Sequence, residues 1–181
     1  MNNEELNEML HELDNIPYPE VKYVVKNSNY ANMLYDDMSG ELGELSAVTQ
    51  YVYEHMDLSD FNVISGIIIQ IAIQEMKHLN FVGDLIKRLG KTPYFIGSKG
   101  NCWTTENVKY KFTNLVHMME YNIETEKAAI EGYSKAIYCT RNQDIRKLFQ
   151  RIILDEKNHI KILKKLLKCK KMFKKNKNIS S

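Results

Sequence analysis

Apolar and polar positions recur along this chain with the period of an α-helix. Between residues 4 and 15, Leu6, Met9, Leu10 and Leu13 share one side, which predicts a short amphipathic helix ended by Pro17 and Pro19. A stripe holding Met33, Asp37, Gly40, Glu41, Glu44, Ala47, Val48 and Tyr51 predicts a first long helix over about 29–55. The second starts at a cap on Ser59 or Asp60, passes through an isoleucine-rich stretch to Leu89, and stops at Gly90. Residues 91–104 carry Pro93, Gly97 and Gly100 and read as a connection. A third helix begins at Thr104 or Thr105. A fourth begins at 142–144 and carries Leu148, Ile152, Ile153, Ile160 and Leu163.

Two of these apolar faces contain groups that should not be there alone. Glu75 and His78, three residues apart, point the same way as Ile68, Ile71, Ala72 and Val82. A carboxylate buried without a partner is costly, so something must neutralise it. The same pair returns 81 residues later, at Glu156 and His159. Upstream of each pair lies Glu-x-x-Ala-x-x-x-Tyr: Glu44 with Ala47 and Tyr51, then Glu126 with Ala129 and Tyr133, offset by 82.

Two patterns in the same order at nearly one offset mark a duplicated helical hairpin. Each half supplies a lone Glu and a Glu-x-x-His pair, giving four carboxylates and two imidazoles in all. Four carboxylate charges balance two divalent cations, and mixed oxygen and imidazole donors suit iron or manganese. The candidate metal ligands are therefore Glu44, Glu75, His78, Glu126, Glu156 and His159. Duplicated hairpins need a crossover between helices 2 and 3, and fourteen residues can span on the order of 45 Å. The predicted fold is all-α: a four-helix bundle with that long crossover, plus the short N-terminal helix.

Other acids compete for the same faces. Glu41 lies one turn before Glu44, and Glu120 lies near the face of Glu126, but the repeat selects Glu44 and Glu126. Glu124 falls roughly 200° around the helix from Glu126. Tyr51 and Tyr133, two turns beyond the lone glutamates, can each hydrogen-bond a ligand carboxylate across the bundle. His11, His55 and His117 stand outside the repeat. Tyr94 and Trp103 either pack the crossover onto the bundle or cover the mouth of the site.

Length and composition fit this picture. At 181 residues, 44% hydrophobic and 27% charged, the chain suits one globular domain with one substantial core. The expected division is an N-terminal helix and Pro-containing linker over 1–28, the bundle over 29–168 and a basic tail over 169–181. Residues 161–181 hold nine lysines and no acid, leaving the remainder with a net charge of −7. Such a tail reads as a solvated end rather than a nucleic-acid contact. The polar, acidic start and the lack of a long apolar run predict a cytoplasmic protein without a membrane span. Cys102, Cys139 and Cys169 contain no Cys-x-x-Cys and read as reduced thiols, Cys102 in a loop.

With these residues in place, the chain over about 30–165 resembles the ferritin-like di-metal carboxylate superfamily. Gly43-Glu-Leu-Ser-Ala47 followed by Gln50-Tyr51, and Ile71-Ala-Ile-Gln-Glu-Met-Lys-His78 followed by Val82-Gly83, look most like its manganese-catalase and spore-coat branch. The paired Glu-x-x-Ala-x-x-x-Tyr motifs are similar to those of rubrerythrin-like proteins. The chain is shorter than a typical manganese catalase, and it lacks the Cys-x-x-Cys pairs of a rubredoxin module.

The resemblance implies a cofactor of two iron or two manganese ions and a redox reaction on hydrogen peroxide or oxygen. It also implies a homo-oligomer, at least a dimer. The expected activity is catalase-like disproportionation or rubrerythrin-like peroxidase turnover, the latter drawing on an external electron donor. The candidate catalytic residues are Tyr51, Tyr133 and Glu156; by the resemblance, a Glu at the position of Glu156 can be an acid/base instead of a ligand. The alternatives are iron oxidation and storage, or a structural, spore-coat-type metal site.

Overall fold

The structure is a computed structural model, and it describes residues 3–12 and 15–168. The basic tail predicted over 169–181 lies outside the described residues. In chain order the helices are α1 (Asn3–Leu10), α2 (Ser28–Ser39), α3 (Glu44–Asp57), α4 (Asn62–Arg88), α5 (Leu115–Tyr138) and α6 (Gln143–Lys168). Among the described residues there is no β-strand, only an isolated antiparallel bridge between Ile96 and Cys102.

α3 packs along α4 and α5 along α6, and short turns join each pair, so the two predicted hairpins are present. Two apolar clusters fill the bundle. One gathers Leu34, Met38, Leu85, Ile86, Phe149 and Ile152; the other gathers Ile64, Ile68, Ile71, Met119, Ile162 and Leu166. Burying side chains of this size stabilises by roughly 1.5–3 kcal/mol each. The polar residues of the repeat lie between the two clusters, which hold the helices rigidly on either side of them.

The first long helix is not continuous. α2 ends at Ser39 and α3 begins at Glu44, with Gly40 and Gly43 both in extended backbone. The Gly43 N–H donates to Gly40 O at 3.1 Å, and the Ser46 hydroxyl donates to the same carbonyl at 2.9 Å. A Cβ on Gly40 would stand 2.6 Å from Asp36 O, and one on Gly43 would stand 2.5 Å from it. Closeness of backbone, not the sign of φ, requires glycine here. The break makes Glu44 the first residue of α3, where free N–H groups favour a carboxylate.

Three other boundaries differ from expectation. α1 ends at Leu10 rather than near Asn15. α4 begins after Phe61, with no side-chain cap from Ser59 or Asp60. Thr104 does form a capping box, with its backbone N–H bonded to Asn107 Oδ1, but the 3-10 turn it starts covers only Thr105–Asn107. α5 starts at Leu115, where Asn114 Oδ1 accepts from His117 N at 2.9 Å, so the crossover runs over 89–114. At the end of α4, Gly90 takes φ +98 and stops the helix as its sequence position suggests.

The N-terminal linker is drawn onto the bundle. Arg151 stacks 4.6 Å from the Tyr18 ring and donates through Nε to Ile16 O at 2.9 Å. α1 packs on α4 and α6, where Asn158 Nδ2 donates to Met9 O at 2.8 Å.

Candidate metal centre

All six residues of the repeat meet at one place between the apolar clusters, and none is more than 3% exposed. Glu44 comes from α3, Glu75 and His78 from α4, Glu126 from α5, and Glu156 and His159 from α6. Both imidazoles turn Nδ1 toward the carboxylates. His78 Nδ1 lies 3.1 Å from Glu75, 3.0 Å from Glu156 and 3.8 Å from Glu44. His159 Nδ1 lies 2.8 Å from Glu75, 3.2 Å from Glu156 and 3.5 Å from Glu126.

Two overlapping donor sets follow: Glu44, Glu75, His78 and Glu156, then Glu75, Glu126, Glu156 and His159, with the donor atoms of each set within 4.8 Å of one another. Glu75 and Glu156 belong to both. Glu44 Oε2 is buried without a hydrogen-bond partner, and the buried Glu75 Oε1 and Glu156 Oε1 face only imidazole Nδ1 atoms, at 2.8 and 3.0 Å. Oxygens in that state cost free energy unless a cation meets them. Carboxylate and imidazole donors of this number fit a pair of iron or manganese ions.

The protons and charges of the site are arranged accordingly. Burial pushes Glu44 and Glu126 well above the usual carboxylate range, and the charge of Glu75 adds to it. Burial acts the same way on Glu75, but the two imidazoles, His159 foremost, outweigh it and hold that carboxyl well below its usual range. Burial would lower both histidines, yet Glu156 beside His78 and Glu126 beside His159 hold them well above their ordinary value.

Around this centre stand the residues that orient it. The Tyr133 hydroxyl donates to Glu44 Oε1, and the Tyr51 hydroxyl donates to Glu126 Oε1, each across the bundle from the other hairpin. Behind the imidazoles, His78 Nε2 faces Asp155 Oδ2 at 3.2 Å and His159 Nε2 faces Gln74 Oε1 at 2.9 Å. Tyr18 donates to Asp155 Oδ2 at 2.8 Å, and Arg151 pairs with Asp155 Oδ1 at 2.6 Å. Sequence reasoning passed over Gln74 and Asp155. They immediately precede Glu75 and Glu156, so extending the repeat by one residue would have found them.

Glu54 was also missed: it is fully buried, accepting from Gln50 Nε2 at 2.8 Å and Asn122 Nδ2 at 2.5 Å, and burial raises it to about 8. The competitors Glu41, Glu120 and Glu124 are exposed, and Glu124 pairs with Lys127. His11, His55 and His117 lie outside both donor sets. Tyr94 is exposed, whereas the half-buried Trp103 donates through Nε1 to Ser46 Oγ at 3.0 Å and ties the crossover to α3.

A cavity of about 480 Å³ reaches this centre from the surface. Ser98, Lys99 and Asn101 of the crossover line its mouth, and Glu44, Glu75, Glu126, Tyr51 and Tyr133 line its inner end. Asp37 lies in its wall against Gly132, where a Cβ would stand 2.3 Å from Asp37 Oδ1.

The family model for rubrerythrin matches residues 39–167, which include every residue of the metal centre. The chain belongs to the rubrerythrin family. Among its relatives, the "Probable manganese catalase" of Clostridium acetobutylicum is 22% identical over 178 residues, covering 87% of this chain and 78% of that protein. The bacterioferritin of Desulfovibrio desulfuricans is 32% identical over 122 residues, covering 65% of this chain and 64% of that protein. In structure, this rubrerythrin-family chain is similar to KatB, a manganese catalase from Anabaena, with a TM-score of 0.78 and 23% identity over 91% of this chain and 84% of that one. That likeness supports the ferritin-like helical fold. Among the described residues, no helix is long and apolar enough to cross a membrane.

Proposed function

We propose that the chain is a non-haem di-metal oxidoreductase that disproportionates hydrogen peroxide. The observation that carries this reading is the cavity, which brings a small polar molecule from solvent onto the open side of the carboxylates Glu44, Glu75 and Glu126. Glu44 with His78, and Glu126 with His159, would hold one ion each, with Glu75 and Glu156 common to both donor sets. Iron or manganese ions so held would supply two electrons reversibly. One peroxide then takes up two electrons and two protons to give water, while a second gives up two of each to release oxygen.

The residues of this chain manage position and protons. Tyr133 and Tyr51 fix the orientation of Glu44 and Glu126. Glu156, fully buried between the imidazoles and common to both donor sets, would hold metal rather than carry protons. Asp37 takes that part, because it lies in the cavity wall and is raised to about 7 by burial and by Asp36, opposed by Lys135. Tyr30 and Tyr133 also face it electrostatically. A carboxyl near neutrality both accepts and returns a proton.

A second reading, iron oxidation and buffering, is favoured by the 32% identity to bacterioferritin. It predicts iron uptake with little oxygen released from peroxide. Large exposed side chains at Tyr23, Val25 and Tyr138 support an oligomer, at least a dimer. The test is oxygen release from hydrogen peroxide without reductant, by protein reconstituted separately with manganese and with iron. Sustained release by either form supports disproportionation; release by neither sinks it.

A further inference from the structure

The two imidazoles are backed by unlike groups. Asp155 and Gln74 occupy equivalent places, each one residue before the Glu of its own pair and each reaching the imidazole of the other pair. They also meet, since Gln74 Nε2 donates to Asp155 Oδ1 at 2.9 Å. That bond fixes the amide: its NH₂ faces the carboxylate, so its Oε1 faces His159. With a cation held at each Nδ1 among the carboxylates, each ring would keep its one proton on Nε2. His78 donates it to an anion, and His159 donates it to a neutral amide.

A ring that donates to a carboxylate is a stronger donor toward a cation at its other nitrogen than one that donates to an amide. Apart from the Tyr18 hydroxyl, which stands 3.4 Å from His78 Nε2 and itself donates to Asp155, the carboxylates of the two half-sites are matched. Each has one terminal Glu bonded by a Tyr from the opposite hairpin, and both share Glu75 and Glu156. Arg151 binds the Asp155 oxygen away from His78, which anchors the carboxylate while Oδ2 accepts from the ring.

We infer that the half-sites bind metal unequally, with the one formed by Glu44 and His78 filling first and Asp155 setting that order. The ion beside Glu126 and His159 is then the exchangeable one. This rests on the two-metal reading of the site and not on the reaction proposed for it.

The test uses the full-length protein, stripped of metal and given substoichiometric manganese(II), with the ion located by anomalous diffraction. The expected occupancy beside His78 exceeds that beside His159 by about tenfold or more, the scale on which partners of metal-ligating histidines change affinity. Equal occupancy, or preference for His159, overturns the inference; manganese at neither position overturns it together with the two-metal reading. Asp155→Asn is expected to remove the preference, and its survival in that variant would show that Asp155 does not set the order. Misfolding of the variant leaves the wild-type measurement decisive.

Discussion

The Tyr51 hydroxyl on α3 donates to the Glu126 carboxylate on α5, joining the first hairpin to a candidate ligand carried by the second. Both side chains are buried, so the bond holds the carboxylate at one angle and is not exchanged for water. Removing the hydroxyl keeps every metal donor atom. Tyr51→Phe is expected to retain two ions per chain while weakening their binding by about 10–100-fold, read by metal analysis and chelator competition. Loss of both ions would show that Tyr51 does more than orient Glu126.

Glu44 owes its place to the break at Gly43. Alanine there brings a Cβ to 2.5 Å from Asp36 O and 2.8 Å from Asp37 O, and backbone must move to admit it. Gly43→Ala is expected to lower stability by about 1–3 kcal/mol, as overpacking does. Gly66→Ala is the control: nothing stands within 4 Å of its Cβ, and helix propensity favours alanine by roughly 1 kcal/mol. Thermal unfolding of the two variants, loaded with the same metal, should move in opposite directions.

Burial raises Glu54 from 4.5 to about 8, the amide donors of Asn122 and Gln50 notwithstanding. A raised carboxyl contributes stability that is complete below its ordinary value and is lost as pH climbs through the raised one. Relative to wild type, Glu54→Gln should therefore gain stability across this window by up to about 1.4 kcal/mol per pH unit. Asn122 Oδ1 has no hydrogen-bond partner and can turn to accept from the new amide. Denaturation at a series of pH values measures the difference; a flat difference would mean that Glu54 is ionised throughout.

Metal loading should expel protons. Glu44, Glu126, His78 and His159 all stand well above their ordinary values and hold protons near neutrality, whereas a metal needs them bare. Apparent affinity for manganese should then rise with pH, and calorimetry in buffers of different ionisation enthalpy should record a net release of protons. Binding without release would contradict the charge state described for the centre.

The clustering of the six candidate ligands was legible because burial and duplication left two independent marks on the sequence, a carboxylate on an apolar face and its recurrence at a fixed offset. Local boundaries were not. The helical stripe runs past Gly40 and Gly43 without a break, and the close approach of Asp36 O that demands glycine there leaves no mark on the periodicity. Thr104 obeys the rules for starting a helix, yet its turn ends after Asn107. Asp155 and Gln74 looked like ordinary polar neighbours, since only the fold shows them crossing to the opposite imidazole.

The central claim is that four carboxylates and two imidazoles hold two ions side by side. The most direct test is metal analysis of the manganese-loaded chain together with electron paramagnetic resonance, on wild type and on His78→Ala. Two ions per chain with a magnetically coupled signal in wild type, reduced to one uncoupled ion or none in the variant, is the predicted result. A single isolated ion in wild type, or an unchanged coupled pair in His78→Ala, would contradict it.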